Sequence, residues 1–220
     1  MKTLAIATLS LAATLSTAGV TSFTETFESG ANDWLQGSFV APGFNAAGAL
    51  DGSAYISSTA DLNSAGPFGL IVFRGHSEFN ASNNAFAGDY NVNGINRITF
   101  DLRHNAGIDL GVALRVAGPS NFPGFAVELN DAVSSDEWVS LSFDLDFSNP
   151  LLTLEGPPTP DFYNSIMNAV GNIQVSIDRP DGLTTPLVVD FDLDNVSITP
   201  APSALAMLSL GGLIATRRKR

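Results

Sequence analysis

The stretch Trp138-Val139-Ser140-Leu141-Ser142-Phe143-Asp144-Leu145 alternates polar and apolar residues without a break after its opening tryptophan. Successive side chains of a β-strand point to opposite faces, so Val139, Leu141, Phe143 and Leu145 share one face and Ser140, Ser142 and Asp144 the other. Such a strand is buried on one side only. Trp138 starts it on the polar side.

Outward from this strand the chain repeats the theme. Segments 22–27, 54–57, 69–73, 97–102, 109–116, 125–129, 172–177 and 188–198 are short and rich in apolar or β-branched residues, with Gly, Asn, Asp, Ser or Pro at or near their ends. About nine strands separated by turn residues predict an all-β chain, an antiparallel β-sandwich of the jelly-roll kind. One helix interrupts them. Thr159 caps it, Pro160 and Asp161 fill its first turn, Phe162, Ile166, Ala169 and Val170 form one stripe, and Gly171 stops it. It is expected to close one end of the sandwich.

Both termini read as targeting segments. Met1-Lys2, the apolar run 4–15 and the small residues Ser16-Thr17-Ala18 predict a signal peptide over 1–18, cleaved after Ala18. At the other end, 199–220 runs from the proline spacer Pro200-Ala201-Pro202 through an uncharged stretch to Arg217-Arg218-Lys219-Arg220. Its apolar part, 202–216, reaches roughly 22 Å as a helix, short of the ~30 Å hydrocarbon core. Four cations at its end predict that this end stays in the cytoplasm. A poorly made tail anchor or a floppy terminus is the plainer alternative.

Between them lies a body, 19–198, of one domain. It carries all 22 acids and five arginines, a formal charge of −17, and no lysine. That balance excludes a phosphate-binding nucleic-acid surface and would attract divalent cations. The chain has no cysteine, hence no disulfide and no thiolate metal site.

The proline motif, uncharged helix and basic cluster together resemble the PEP-CTERM sorting signal, with Pro200, Pro202, Arg217, Arg218, Lys219 and Arg220 as its marks. Ala201 stands where that family usually has Glu. The resemblance implies export, transient inner-membrane anchoring, processing by an exosortase-type enzyme and a place at the cell surface or in an extracellular matrix, associated with exopolysaccharide. In the body, Phe27-Glu28 with nearby Trp34, and Leu193-Asp194-Asn195-Val196, resemble the first and last strands of bacterial laminin B (laminin IV type A)-like domains and carbohydrate-binding jelly rolls. That resemblance implies a structural calcium ion where these strands meet, held by Glu28 and Asp194 with carbonyls near Ser29.

Asp89 to Gly94 matches the first half of a calcium loop, but Phe100 occupies the position that needs a bidentate Glu, so a polar turn is expected there. Asp190, Asp192 and Asp194 alternate onto one strand face, where simple exposure is the default. His76 and His104 have no metal spacing and are expected at the surface or in loops; no nucleophile elbow or phosphate loop occurs. Sugar binding needs an exposed aromatic beside polar groups. Trp138 and Tyr90 are the leading candidates, with Tyr55 and Tyr163 behind them, while Trp34 is expected in the core. The expected function is a secreted, non-catalytic binding or matrix module. A purely structural surface protein and a carbohydrate-active enzyme using paired carboxylates are the alternatives.

Overall fold

The structure is a computed structural model that describes residues 22–66 and 69–200. The signal-peptide segment and the sorting residues Pro202, Arg217, Arg218, Lys219 and Arg220 lie outside the described residues. Among the described residues no helix is long and apolar enough to cross a membrane.

Among the described residues twelve strands form two six-stranded antiparallel sheets. The first contains β1 (Phe23–Glu25), β3 (Gly43–Asn45), β4 (Tyr55–Asp61), β6 (Ile95–His104), β9 (Val139–Asp144) and β12 (Val188–Pro200). Its order is β3-β4-β12-β6-β9, with β1 beside the second half of β12. The second contains β2 (Leu35–Gln36), β5 (Leu70–His76), β7 (Val112–Ala117), β8 (Gly124–Glu128), β10 (Leu152–Leu154) and β11 (Asn172–Ile177), in the order β10-β8-β7-β11-β5-β2.

The alternation that marks β9 produces the expected half-burial. Leu141 and Phe143 are buried and Ser140, Ser142 and Asp144 are exposed. Phe143 stacks on Phe100 of β6, ring centroids 5.1 Å apart, and these rings join Leu102, Phe191 and Leu193 from the first sheet. Phe73, Leu114, Val116, Phe125 and Val175 meet them from the second. The chain is a β-sandwich with one core.

β12 holds the first sheet together, pairing with β4, β6 and β1. A one-residue register shift between Asp194 and Ser197, where Asn195 adopts φ 51°, lets both Leu193 and Val196 turn inward. Pro200, read as part of the sorting motif, ends this strand opposite Ile95. At the other terminus the expected strand over 22–27 stops at Glu25. Phe27 still reaches the core because it takes a left-handed φ of 54°, with its N–H bonded to the Glu25 carboxylate at 2.9 Å. Trp34 is fully buried, its Nε1–H donating to Ser82 Oγ, which in turn donates to Glu25 Oε2.

Among the described residues two α-helices and three short 3-10 turns complete the fold. Asp89 to Gly94 is a single turn, α1 (Tyr90–Asn93), capped by Asp89 and ended by Gly94 in the left-handed region. The helix predicted from Thr159 onward is α2 (Pro160–Met167). Its buried side chains are Tyr163, Ile166 and Met167; Ala169 lies exposed beyond its end. Tyr163 Oη–H donates to Leu145 O at 2.7 Å, fastening α2 to the chain just after β9.

Candidate functional site

Trp138 and Tyr55 converge on the outer face of the first sheet. The Ser57–Asp192–Arg103 row crosses β4, β12 and β6, and continuing the β6–β9 register places Trp138 opposite Arg103. These residues face outward because the alternating partners, Ile56, Phe191, Leu193 and Leu102, fill the core.

Trp138 lies half-buried over this row. Its indole N–H donates to Gly48 O at 3.0 Å, its ring meets Tyr55 edge-on at 5.5 Å, and Arg103 Cζ sits 4.8 Å from its centroid. Arg103 also lies 5.5 Å from the Tyr55 centroid. Its Nε and Nη2 donate to Asp192 Oδ2 at 2.9 and 2.7 Å. Ser57 Oγ donates to Asp192 Oδ1, and Asn45 Nδ2 donates to Ser57 Oγ. A guanidinium held by a carboxylate and covered by aromatic rings is a rigid base, since each contact restricts the next.

A cleft of about 450 Å³ opens beside this base, lined by Tyr55, Ser57, Arg103, Asn105, Asp136 and Asp190. The lining mixes one aromatic ring with amide, hydroxyl and carboxylate groups, the mixture that hydrogen-bonds sugar hydroxyls and packs sugar C–H faces.

The three alternating aspartates of β12 differ from one another. Each accepts a hydroxyl proton from the β4 side: Asp190 from Thr59, Asp192 from Ser57, Asp194 from Ser53. Asp190 is exposed, Asp192 half-buried and Asp194 fully buried, so simple exposure holds only for the first. Burial pushes the Asp194 pKa up to about 6, against hydrogen bonds from Asn195 and Ser53, with the Asp51 and Asp101 charges adding to the rise. Asp194 Oδ1 is buried without a hydrogen-bond partner. A buried carboxylate oxygen in that condition suits either a proton or a cation.

Glu28 approaches the same place from the first strand's side. Its Oε1 accepts from Ala54 N at 3.2 Å, next to Ser53, whose hydroxyl is shared by Asp51 and Asp194. Glu28 and Asp194 are thus both tied to the Ser53–Ala54 turn. Among the described residues no three histidine or carboxylate groups cluster closely enough to hold a metal ion. A calcium ion here would therefore draw most of its shell from carbonyl groups and water.

Three sequence-based placements change. Tyr90 is 0% exposed, with its hydroxyl donating to Phe86 O at 2.8 Å and its pKa raised by burial, so it offers no platform to a ligand. Tyr163 is likewise buried. His76 and His104 are buried rather than at the surface: His76 Nδ1 accepts from Glu78 N, and His104 Nε2 lies 3.0 Å from Val133 O. All four supply a polar atom to the backbone within apolar surroundings. Arg103 was not singled out by sequence reasoning, since a single Arg in a strand signals little; the polar-face register linking it to Asp192 and Trp138 carried the information.

No protein-family model and no curated protein matches the chain. Among solved structures it is similar to the L4b domain of human laminin alpha-2, at 9% identity and a TM-score of 0.49, covering 84% of this chain and 100% of that one. It is similar to the CBM22-1–GH10 modules of Clostridium thermocellum xylanase 10B complexed with xylohexaose, at 15% identity and a TM-score of 0.47 over 84% of this chain. The chain spans 29% of that protein's length. A third is CtCBM11, at 13% identity and a TM-score of 0.42, covering 86% of this chain and 100% of that one.

Proposed function

We propose that the chain is a non-catalytic module that binds a polysaccharide across the Trp138–Tyr55–Arg103 base on the outer face of the first sheet. The observation that carries this reading is the indole of Trp138, held over a paired guanidinium at the border of an open polar cleft. A sugar chain laid along β4 and β6 meets aromatic surface at one end and the groups of Ser57, Asn105 and Asp190 along the cleft. Binding by a glycan panel, lost in Trp138→Ala, tests it.

A non-catalytic role fits the acids in the cleft. Asp192 is committed to Arg103 and Ser57, and Asp190 accepts from Thr59 and Asn105 at 2.7 and 3.0 Å. Both are held by the protein's own donors, and Asp136, the third acid of the cleft, accepts from Ser135 Oγ at 2.9 Å. Turnover of a bound polysaccharide, abolished by one acid-to-amide change, would establish the enzyme alternative instead.

Export, processing of the 199–220 tail by an exosortase-type enzyme and residence at the cell surface or in a matrix complete the proposal. The supporting features are the short apolar N-terminal run, the proline spacer and the four terminal cations. A structural calcium ion beside Asp194 and Glu28 is also part of it, supported by the unpartnered Asp194 Oδ1.

A further inference from the structure

The body's five arginines are not used alike. Arg103 pairs with Asp192 and Arg115 with Glu155, while Arg179 donates to Asn63 and to the Leu183 carbonyl. Arg97 stands opposite Asp144 in the β6–β9 register. Arg74, at the centre of β5, is only 9% exposed, yet has no hydrogen-bond acceptor and no ion pair among the described residues. Its Nε is buried and unpartnered. The acceptor directly across the strand pair, Gln174 Oε1, is taken by Arg115. Leaving a buried guanidinium without a carboxylate is costly, and this body has 22 acids from which a partner was available.

Arg74 lines a pocket of about 500 Å³ on the flank where β4 of the first sheet approaches β2 and β5 of the second. Gln36, Ser38, Ser58, Thr59 and Asp61 line it too. Asp61 is already engaged, its Oδ1 accepting from the N–H groups of Asn63 and Leu187. Over the guanidinium lies Phe39, its centroid 4.6 Å from Arg74 Cζ, set edge-on to Phe79 and 59% exposed. An exposed phenyl ring rests on the cation beside the pocket, outside the residues that line it, so an apolar face, a positive charge and hydroxyl and amide groups adjoin one another.

We propose that this pocket takes the carboxylate of an acidic sugar, with Arg74 as its counter-charge and Phe39 as the surface against which the sugar ring lies. An Arg guanidinium can meet a carboxylate with two N–H groups, and here the terminal Nη1 and Nη2 are the pair a ligand reaches, since Nε is buried. The site is separate from the Trp138 base and does not depend on it.

The test is calorimetric titration of the full-length protein with tetramers of galacturonate, mannuronate and guluronate, each also as its methyl ester, and with acetate. The expected result is that at least one acidic tetramer binds, and that its ester, which has the same ring without the charge, binds about tenfold more weakly or not at all. Arg74→Met should abolish that binding and Arg74→Lys restore part of it, because the charge returns without the fork. Should Arg74→Met fail to fold, Phe39→Ala, which removes the ring over Arg74 and its edge contact with Phe79, should still weaken binding several-fold. Trp138→Ala should leave acidic binding intact, which separates this site from the Trp138 base. Equal affinity for acid and ester, no binding of any acidic tetramer, acetate binding as tightly as a tetramer, or a folded Arg74→Met that binds like the wild type would each overturn the proposal.

Discussion

Trp138 lays its indole ring over Arg103, with the guanidinium carbon 4.8 Å from the ring centroid, while the Nε and Nη2 of that guanidinium are bonded to Asp192. Three strands, β9, β6 and β12, meet in that stack. Replacing Arg103 with Met would remove the cation and leave Asp192 with only its Ser57 hydroxyl. Because the Arg103 side chain is 30% exposed, the expected loss is about 1–2 kcal/mol, below that of a fully buried pair. Denaturant unfolding of Arg103→Met, Trp138→Ala and the double variant should give a coupling of about 0.5–1 kcal/mol. Additive losses would mean that the stack is a juxtaposition without interaction.

Asp194 makes stability depend on pH in the direction opposite to that of a paired carboxylate. Its pKa is about 6 in the folded protein against 3.8 for the free side chain, so the folded state holds the proton more tightly. That contribution is fully present below about pH 3.8 and is lost as the pH rises through about 6. In chelator, Asp194→Asn should therefore be more stable than wild type at pH 7.5, by on the order of 1–2 kcal/mol, and show no gain at pH 3.5. Melting curves at the two pH values decide it.

Calcium should reverse that ranking. A cation beside Asp194 Oδ1 would favour the ionised carboxylate, so adding millimolar Ca²⁺ at pH 7.5 should raise the wild-type melting temperature and leave Asp194→Asn unmoved. Glu28→Gln should blunt the response. An unchanged wild-type melting temperature would leave the proton, rather than the ion, as the partner of Asp194.

Gly75 is fixed by packing. A Cβ at this position would come within 2.6 Å of the Trp34 ring, which is fully buried and anchored through Ser82 to Glu25. Gly75→Ala is expected to destabilise the fold by about 1–3 kcal/mol, as overpacking does. Denaturant midpoints measure it; a neutral result would mean that the Trp34 network yields easily.

Strands with period-two alternation were legible in the sequence because alternation records which face is buried. β9 and β11 were read nearly to the residue, and Trp34 was placed correctly in the core. β2, β3 and β10 were not legible: two or three residues at a sheet margin are too few to show a period. Phe27 escaped the pattern because a left-handed residue, rather than strand alternation, turns it inward. At the site, Trp138 could be named because its strand face was otherwise polar. Tyr90 could not be distinguished from it, since whether a tyrosine hydroxyl meets solvent or a backbone carbonyl depends on the α1 turn folding back toward Phe86. The burial of His104 and Arg74 stayed hidden for a different reason: their neighbours, Val133 and the β11 strand, are far along the chain.

The central claim rests on Trp138 serving a ligand as well as the sheet. Affinity for neutral and acidic polysaccharides, measured for wild type and Trp138→Ala alongside their melting curves, tests it most directly. The account predicts that a neutral glycan binds the wild type and that Trp138→Ala weakens it by at least about tenfold while remaining folded, in line with roughly 1–3 kcal/mol for a lost stacking surface. A folded Trp138→Ala that binds the same glycan with unchanged affinity would contradict it.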